Sequence, residues 1–157
     1  MHFPIICLEK PETEKAYFAK HLPYDDYTLL SHTDYCGDVY NASERQAVIR
    51  SAWLADLFEG IANLDTEAET IAFLDKETIT ATFKDYLKEL TESLAEKAEK
   101  GTLSEYELKM AGEEYKDCGI LFCLPEDYVQ TTMDFIDDAQ YRAGRTYKIG
   151  NIFDAHI

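Results

Sequence analysis

Apolar residues recur every three or four positions between Ile79 and Gly101, and this spacing predicts an amphipathic helix of about six turns. The apolar row consists of Ile79, Phe83, Tyr86, Leu87, Leu90, Leu94 and Ala98. Lysines and glutamates fill most positions between them, which places that face in water. Asp75 suits the N-cap and Gly101 the C-terminal stop, so we expect one long helix over about 76–100.

A second apolar row predicts a helix from 44 to about 63. Its members step by three or four positions and comprise Ile49, Trp53, Leu57, Ile61 and Leu64. Ser43 and Gln46 match the capping-box pattern at the start of this segment. Gly60 lowers the helix propensity, but by too little to be expected to end the helix.

Three segments carry the apolar runs or the loose alternation that is typical of strands. They are His2–Leu8, Ile120–Leu124 and 145–157, and in the last we expect a bend or bulge at Gly150. The segment Thr70–Leu74 suits either a fourth strand or the lead-in to the long helix.

Shorter helices are expected elsewhere in the chain. Prolines, acidic residues or a capping box open helices at Pro11–His21, at 105 to about 117, and from Pro125 to about Gly144. The chain between the expected Pro11–His21 helix and the helix expected from 44 is less regular. There we expect a strand at Thr28–Ser31 and a turn at Asp34–Asp38.

These elements predict an α+β fold in a single acidic globular domain over 1–157. A small sheet of three to four strands would be packed by four to five helices, one of them the long helix at about 76–100. The length is that of one domain, and the 13% aromatic content argues against disorder because aromatic side chains supply a core.

Charge is the unusual feature of the composition. The chain has 31 acidic against 15 basic residues, a net charge of −16. Such a surface repels phosphate backbones, so direct nucleic-acid binding is not expected. It attracts cationic surfaces, including those of proteins that normally hold nucleic acid. The alternative is that the acids serve only solubility.

The cysteines and the N-terminal segment predict a cytoplasmic protein. Four cysteines without a C-x-x-C pair do not form a disulfide framework. The N-terminal segment lacks the basic region of a signal peptide. The longest uninterrupted apolar run, Ile120–Leu124, is too short to span a bilayer, so no membrane association is expected.

His32, Asp34 and Cys36 alternate along a predicted extended segment, which would place them on one side of the chain. They could serve as metal ligands or as a cysteine nucleophile with a histidine base, so a small enzyme or metal-binding protein is one hypothesis. The other interpretation is a turn with a partly buried cysteine. Because no phosphate-binding loop, zinc motif or nucleophile elbow occurs, we favour a non-enzymatic protein with no catalytic residues, metal or cofactor.

Tyrosines and aspartates combine in two acidic segments, and we interpret them as a partner-binding surface. Carboxylates on a rigid surface can imitate phosphates, while tyrosines add contact area at low entropic cost. The alternative is that the tyrosines belong to the core or its rim. The candidate residues are Tyr24, Asp25, Asp26, Tyr27, Asp34, Tyr35, Asp38, Tyr40, Asp134, Asp137 and Asp138.

The C-terminal segment resembles the closing segment of ArdA-type antirestriction proteins from mobile elements. The similar residues are Phe135-Ile136-Asp137, Gln140-Tyr141, Gly144-Arg145 and Ile152-Phe153. The resemblance implies a mobile-element or phage anti-defence inhibitor that mimics DNA and blocks type I restriction enzymes. The expected partner is therefore a basic or nucleic-acid-binding protein. A further alternative, an acidic regulatory subunit that associates with itself, leaves a homodimer open.

Overall fold

The computed structural model describes residues 2–108 and 120–156, and within these ranges seven strands form one mixed sheet. The strands are β1 (His2–Glu9), β2 (Tyr35–Val39), β3 (Ala62–Asp65), β4 (Thr70–Phe73), β5 (Leu121–Cys123), β6 (Val129–Thr131) and β7 (Thr146–His156). The α-helices are α1 (Tyr27–His32), α2 (Ala42–Ile49), α3 (Ala52–Leu57), α4 (Lys76–Glu99) and α5 (Thr132–Asp137). Residues 105–108 are also helical, and 3-10 turns occupy Lys15–Tyr17 and Asp138–Arg142.

The last strand, β7, lies at the centre of the sheet. One of its edges pairs with β1 in antiparallel orientation along most of its length. Its other edge pairs with β4 through the first half and with β2 through the second half. β1 continues to β5 in parallel orientation, and β6 closes that side. The order is therefore β3-β4-β7-β1-β5-β6, with β2 on the same side of β7 as β4.

The central strands are buried on both faces, which explains why β1 is an almost continuous apolar run. One face is covered by α2, α3, α5 and the first turn of α4. At its centre the Phe122 and Phe135 rings stack with centroids 4.0 Å apart, and Phe58 meets both edge-on. The opposite face carries a smaller cluster in which Leu29 of α1 packs with Phe153 of β7.

The expected irregularity at Gly150 is confirmed as a bulge in β7. While β1 advances by two residues, β7 advances by three, from Ile149 to Ile152. A Cβ atom at Gly150 would lie 2.8 Å from the side chain of Glu9, so a larger residue does not fit. The bulge therefore needs glycine because a neighbouring side chain lies against it.

The guanidinium of Arg45 in α2 fastens the helix layer to this bulge. Its Nε atom donates to the carbonyl oxygen of Gly150 at 2.7 Å, and Nη2 donates to that of Ile149. Nη2 also pairs with Glu69 at 2.7 Å, and Arg45 is only 7% exposed. A buried cation is thus satisfied by one carboxylate and by carbonyl groups that the irregular strand leaves available.

The expected sheet of three to four strands with four to five helices is wrong. The described residues form seven strands in one mixed sheet, and residues 105–108 bring the helices to six. The additional strands β2, β3 and β6 are three to five residues long and rich in polar or small residues. Their own patterns carry little signal, because strands this short take their conformation from pairing: β2 pairs with the longer β7, and β3 and β6 pair with the equally short β4 and β5.

The single helix expected over 44–63 is also wrong, because the chain breaks into α2 and α3. Ser51 between them is extended, and its hydroxyl donates to the Val48 carbonyl at 2.6 Å. The N-terminal capping box is formed by Asn41 and Glu44, and not by Ser43 and Gln46. Ile49 of α2 and Leu57 of α3 still contact the core. Trp53, in contrast, is 42% exposed, Ile61 follows α3 and Leu64 lies in β3.

The long helix was correctly expected, and it runs as α4 over Lys76–Glu99. Asp75 caps it by accepting a hydrogen bond from the Thr78 amide at 2.9 Å. Its apolar row is fully buried only at Ile79, while Phe83 is partly buried against the core and Leu87 is 58% exposed. The helix is therefore anchored to the core by its first two turns.

Several shorter elements differ from the expectation. The helix expected over Pro11–His21 is reduced to the 3-10 turn at Lys15–Tyr17, because this segment has no sustained apolar stripe. The strand expected at Thr28–Ser31 lies in α1, whose N-cap is Asp26. The turn expected at Asp34–Asp38 falls largely in β2.

The segment from Pro125 to Gly144 is not one helix. It divides into β6, α5 and the 3-10 turn that follows, with Thr131 capping α5. The helix expected over 105–117 begins as predicted, and its remainder lies outside the described residues. None of the described helices has the length and apolar character needed to cross a bilayer.

Candidate acidic interaction surface

The structure divides the eleven sequence-predicted surface residues between two places on opposite sides of β7. Tyr24, Asp25, Asp26 and Tyr27 precede or begin α1, which packs against β6 on one face of the sheet. Asp134, Asp137 and Asp138 lie in α5 and the start of the 3-10 turn after it, which pack on the other face at the same edge of the sheet. We call this region the α5 corner. Tyr35, Asp38 and Tyr40 belong to β2 and the residue after it, and we call their surroundings the β2 groove. Asp34 lies at the start of β2, beside the end of β7.

The α5 corner is held together by Asp26. One carboxylate oxygen accepts the amide hydrogen of Thr28 at 2.8 Å and so caps α1. The other accepts the amide hydrogen of Val129 in β6 at 3.1 Å. Asp26 is therefore a structural residue that fixes α1 against the sheet, while the neighbouring Tyr27 is 84% exposed and available for contact.

The corner contains a shallow depression of about 400 Å³ that is lined by acids. Asp134 hydrogen-bonds to the Thr131 hydroxyl at 2.8 Å, and Asp138 accepts from the Gln130 amide at 2.8 Å. Within the described chain the Asp137 carboxylate has no hydrogen-bond or ion-pair partner. Partial burial raises the pKa of Asp137, and the charges of Asp134 and Asp138 raise it further.

The basic residue nearest to these acids neutralises the surface only in part. Arg142 is buried, and its Nη1 donates to the Phe135 carbonyl at 3.0 Å. Its Nη2 donates to Gln130 at 2.6 Å and lies 4.0 Å from Asp138. The guanidinium is thus engaged in the interior, and the outer side of the corner keeps its negative charge.

The β2 groove combines aromatic and acidic side chains in an open volume of about 780 Å³. The Tyr35 ring lies across Gly37, where an added Cβ atom would be 2.9 Å from the ring. Tyr40 donates its hydroxyl hydrogen to Asp154 at 3.3 Å. Burial raises the pKa of Tyr40, and the charges of Asp154 and Glu44 raise it further.

Two histidine–aspartate pairs at the rim of this groove were not predicted from the sequence. His2 Nδ1 lies 2.8 Å from Asp154, and His156 Nδ1 lies 3.0 Å from Asp34. The two rings meet edge-on with centroids 5.1 Å apart. Each pair joins residues that are more than a hundred positions apart, so no local pattern could have found them.

The alternative site at His32, Asp34 and Cys36 is not brought together. His32 Nδ1 stays within its own helix, 2.9 Å from the Thr28 carbonyl oxygen, and Asp34 pairs with His156. The Cys36 thiol donates to the Thr33 hydroxyl at 3.4 Å. Among the described residues no three histidine, cysteine or acidic side chains are arranged to hold a metal ion.

The buried cysteines are also poorly suited to chemistry. Cys7 and Cys123 face each other in the β1–β5 register. The hydrogen bond between their side chains and their burial raise the pKa of the Cys7 thiol well above its usual value. A thiol held in its neutral form is a poor nucleophile, so this pair fits a role in packing.

Comparison of the chain with protein-family models, curated proteins and solved structures finds no match. A function must therefore be argued from the charges and contacts of the chain itself.

Proposed function

We propose that this protein is a non-enzymatic inhibitor that presents its acidic surface to a basic, nucleic-acid-binding partner. The observation that carries the proposal is the group of three aspartates at the α5 corner, of which, among the described residues, only Asp138 lies within 4.0 Å of a basic side chain, Arg142. There Asp137 has no partner in the described chain and is crowded by Asp134 and Asp138. The nearby cation, Arg142, is turned into the interior.

Crowded like charges cost free energy in the isolated protein. The raised pKa of Asp137 reflects this cost, because burial and the neighbouring carboxylates disfavour its ionised form. A cationic surface docked against the corner would convert the repulsion into attraction. A surface that keeps such destabilising repulsion between carboxylates is typical of a site that serves binding at the expense of stability.

The long helix α4 supports this assignment by contrast. Its exposed acids stand among lysines and form local ion pairs, such as Lys88 with Glu92 and Lys100 with Glu96. A further pair joins Lys97 to Glu107 beyond the helix. The net charge of −16 is thus partly balanced along α4 and concentrated elsewhere, including at the α5 corner.

The expected class of partner follows from the chemistry of the corner and from the resemblance to ArdA-type proteins. Carboxylates on a folded scaffold present negative charge as the phosphates of DNA do. A DNA-binding cleft lined with lysine and arginine would accept them. We therefore propose type I restriction enzymes as the first partners to test, with the cytoplasm as the compartment of action.

A displacement assay tests this proposal. Labelled duplex DNA is bound to a purified type I restriction enzyme, and its fluorescence anisotropy is followed as this protein is added at low salt. We expect release of the DNA. The double variant Asp134→Asn, Asp137→Asn should require on the order of tenfold more protein, because it removes two charges from the binding face.

The matched control is Glu89→Gln with Glu92→Gln, which removes the same charge from α4. We expect this variant to compete as well as the unmodified chain. Equal losses in both variants would show that only total charge matters, and absence of any displacement would reject this partner class.

A further inference from the structure

The β2 groove has features that the acidic corner lacks. It offers two tyrosine rings, of which Tyr35 is 60% exposed, and the unpaired carboxylate of Asp38 within the described part of the chain. Glu44 and Asp154 lie in the same groove and add negative charge. Aromatic faces beside carboxylates form a suitable environment for a planar cation, because the ring quadrupole and the charge attract it together.

The strand that forms one wall of the groove is also an exposed edge. Within the described residues β2 pairs with β7 alone, so its other edge carries no strand. Val39 on this strand is exposed as well. An exposed strand edge can accept an extended segment through main-chain hydrogen bonds, while a neighbouring groove selects its side chains.

We propose that the β2 groove binds an arginine side chain carried by an extended segment of a partner protein. The guanidinium would lie against the Tyr35 and Tyr40 rings and pair with Asp38. The segment on either side of the arginine would follow the edge of β2. Arginine is favoured over lysine because a planar, weakly hydrated guanidinium stacks on aromatic rings and pairs with carboxylates in two-point contacts.

This proposal goes beyond the proposed function and does not depend on it. The α5 corner and the β2 groove lie on opposite sides of β7, and they share none of the residues named for them. The corner would attract a basic surface through net charge, whereas the groove would select one side chain by shape and charge. Each can therefore fail in its own assay while the other stands.

The test is a titration of the isotope-labelled 157-residue chain with a short blocked peptide, followed by amide chemical shifts in solution. The peptide has a central arginine flanked by valine and serine, and its matched control carries the neutral isostere citrulline. We expect shifts confined to about 35–44 and 152–156. Binding of the citrulline peptide should be at least about tenfold weaker, because it loses the charge.

Two exposed side chains serve as probes of the groove. Asp38→Asn and Tyr35→Ala should each weaken binding of the arginine peptide about fivefold. Asp56→Asn and Tyr17→Ala make the same changes at exposed positions outside the groove and should have no effect. Equal binding of both peptides, shifts centred on the α5 corner, or no binding at millimolar peptide would each overturn the proposal. It would also be overturned if a second copy of this chain occupied the edge, seen as a dimer that Tyr35→Ala dissolves.

Discussion

At the scale of single residues, two charged side chains differ in how their charge is compensated by neighbouring groups. Arg45 is buried and fully engaged, by Glu69 and by carbonyls at the β7 bulge. The arginine also lowers the pKa of Glu69 through a direct hydrogen bond. Asp137 is partly exposed, has no partner in the described chain, and lies among like charges. The first residue stabilises the fold, and the second lowers its stability.

Replacing Arg45 by Met should destabilise the protein by about 3 kcal/mol, because it leaves Glu69 and the bulge carbonyls without their donor. The control is Arg50→Met, which breaks the exposed pair with Glu67 and should cost less than about 1 kcal/mol. Urea denaturation at neutral pH measures both. Equal costs would show that the Arg45 pair is not integral to the fold.

Replacing Asp137 by Asn should stabilise the protein slightly at neutral pH, by a few tenths of a kcal/mol at most, since solvent screens the exposed charge. The folded pKa of Asp137 is raised, so the folded state binds more protons and loses stability as pH rises from about 4. The advantage of the variant should therefore appear above that pH and vanish below it. Thermal denaturation over a pH series measures it, and a destabilised variant at pH 7 would contradict the crowding argument.

At the scale of elements, the helix α4 is attached to the core at one end. Ile79 in its first turn is buried among the core residues, whereas Leu87 two turns later is largely exposed. The hydroxyl of Thr82 adds a link by donating to the Gly60 carbonyl at 2.8 Å. Gly60 has a positive φ of 70°, so it closes α3 and turns the chain into β3 at the point where α4 passes.

Shortening an apolar side chain in the first turn of α4 and another in the middle of the helix should have very different effects on stability. Ile79→Ala should cost about 3 kcal/mol, because it leaves a cavity in a closely packed core. Leu87→Ala should cost less than about 0.5 kcal/mol, since its side chain is already mostly in water. Chemical denaturation of both variants measures the difference. A large cost at Leu87 would mean that the exposed part of the helix also supports the fold.

The sequence predicts elements well where it carries a strong local pattern. The strands β1 and β5 are buried apolar runs, and Gly150 interrupts a strand pattern. The α4 helix has a long apolar row at helical spacing and was predicted although most of that row is not buried. The strands β2, β3 and β6 were not: β2 pairs with β7 more than a hundred positions away, and β3 and β6 are only three or four residues long and pair with the equally short β4 and β5. The break at Ser51 was missed because the apolar row continues across it in the sequence.

The sequence proposes the residues of the candidate surface but not their arrangement. The acidic and aromatic composition of the two segments selects the eleven residues, and their role in binding stays a prediction. Their division between the α5 corner and the β2 groove depends on the strand order, which the sequence does not reveal. Four hydrogen bonds could not be predicted because they join residues more than a hundred positions apart. They are those of Asp26 with Val129, Tyr40 with Asp154, His2 with Asp154 and His156 with Asp34.

At the scale of the whole molecule, the protein combines a net charge of −16 with a sheet that is buried on both sides. Burial of apolar side chains on both faces of the sheet offsets the repulsion between the negative surface charges, so the fold tolerates them. If the surface instead served self-association, light scattering would show a dimer whose population rises with salt. An inhibitor that meets a basic partner should behave in the opposite way, because salt screens the attraction between unlike charges.

The affinity for a purified type I restriction enzyme, measured over a salt series, tests the central claim most directly. We expect the dissociation constant to rise at least about tenfold between roughly 50 and 300 mM salt, and the slope to be smaller for Asp134→Asn with Asp137→Asn. An affinity that is independent of salt, or a slope that the double variant leaves unchanged, would contradict binding through the acidic α5 corner.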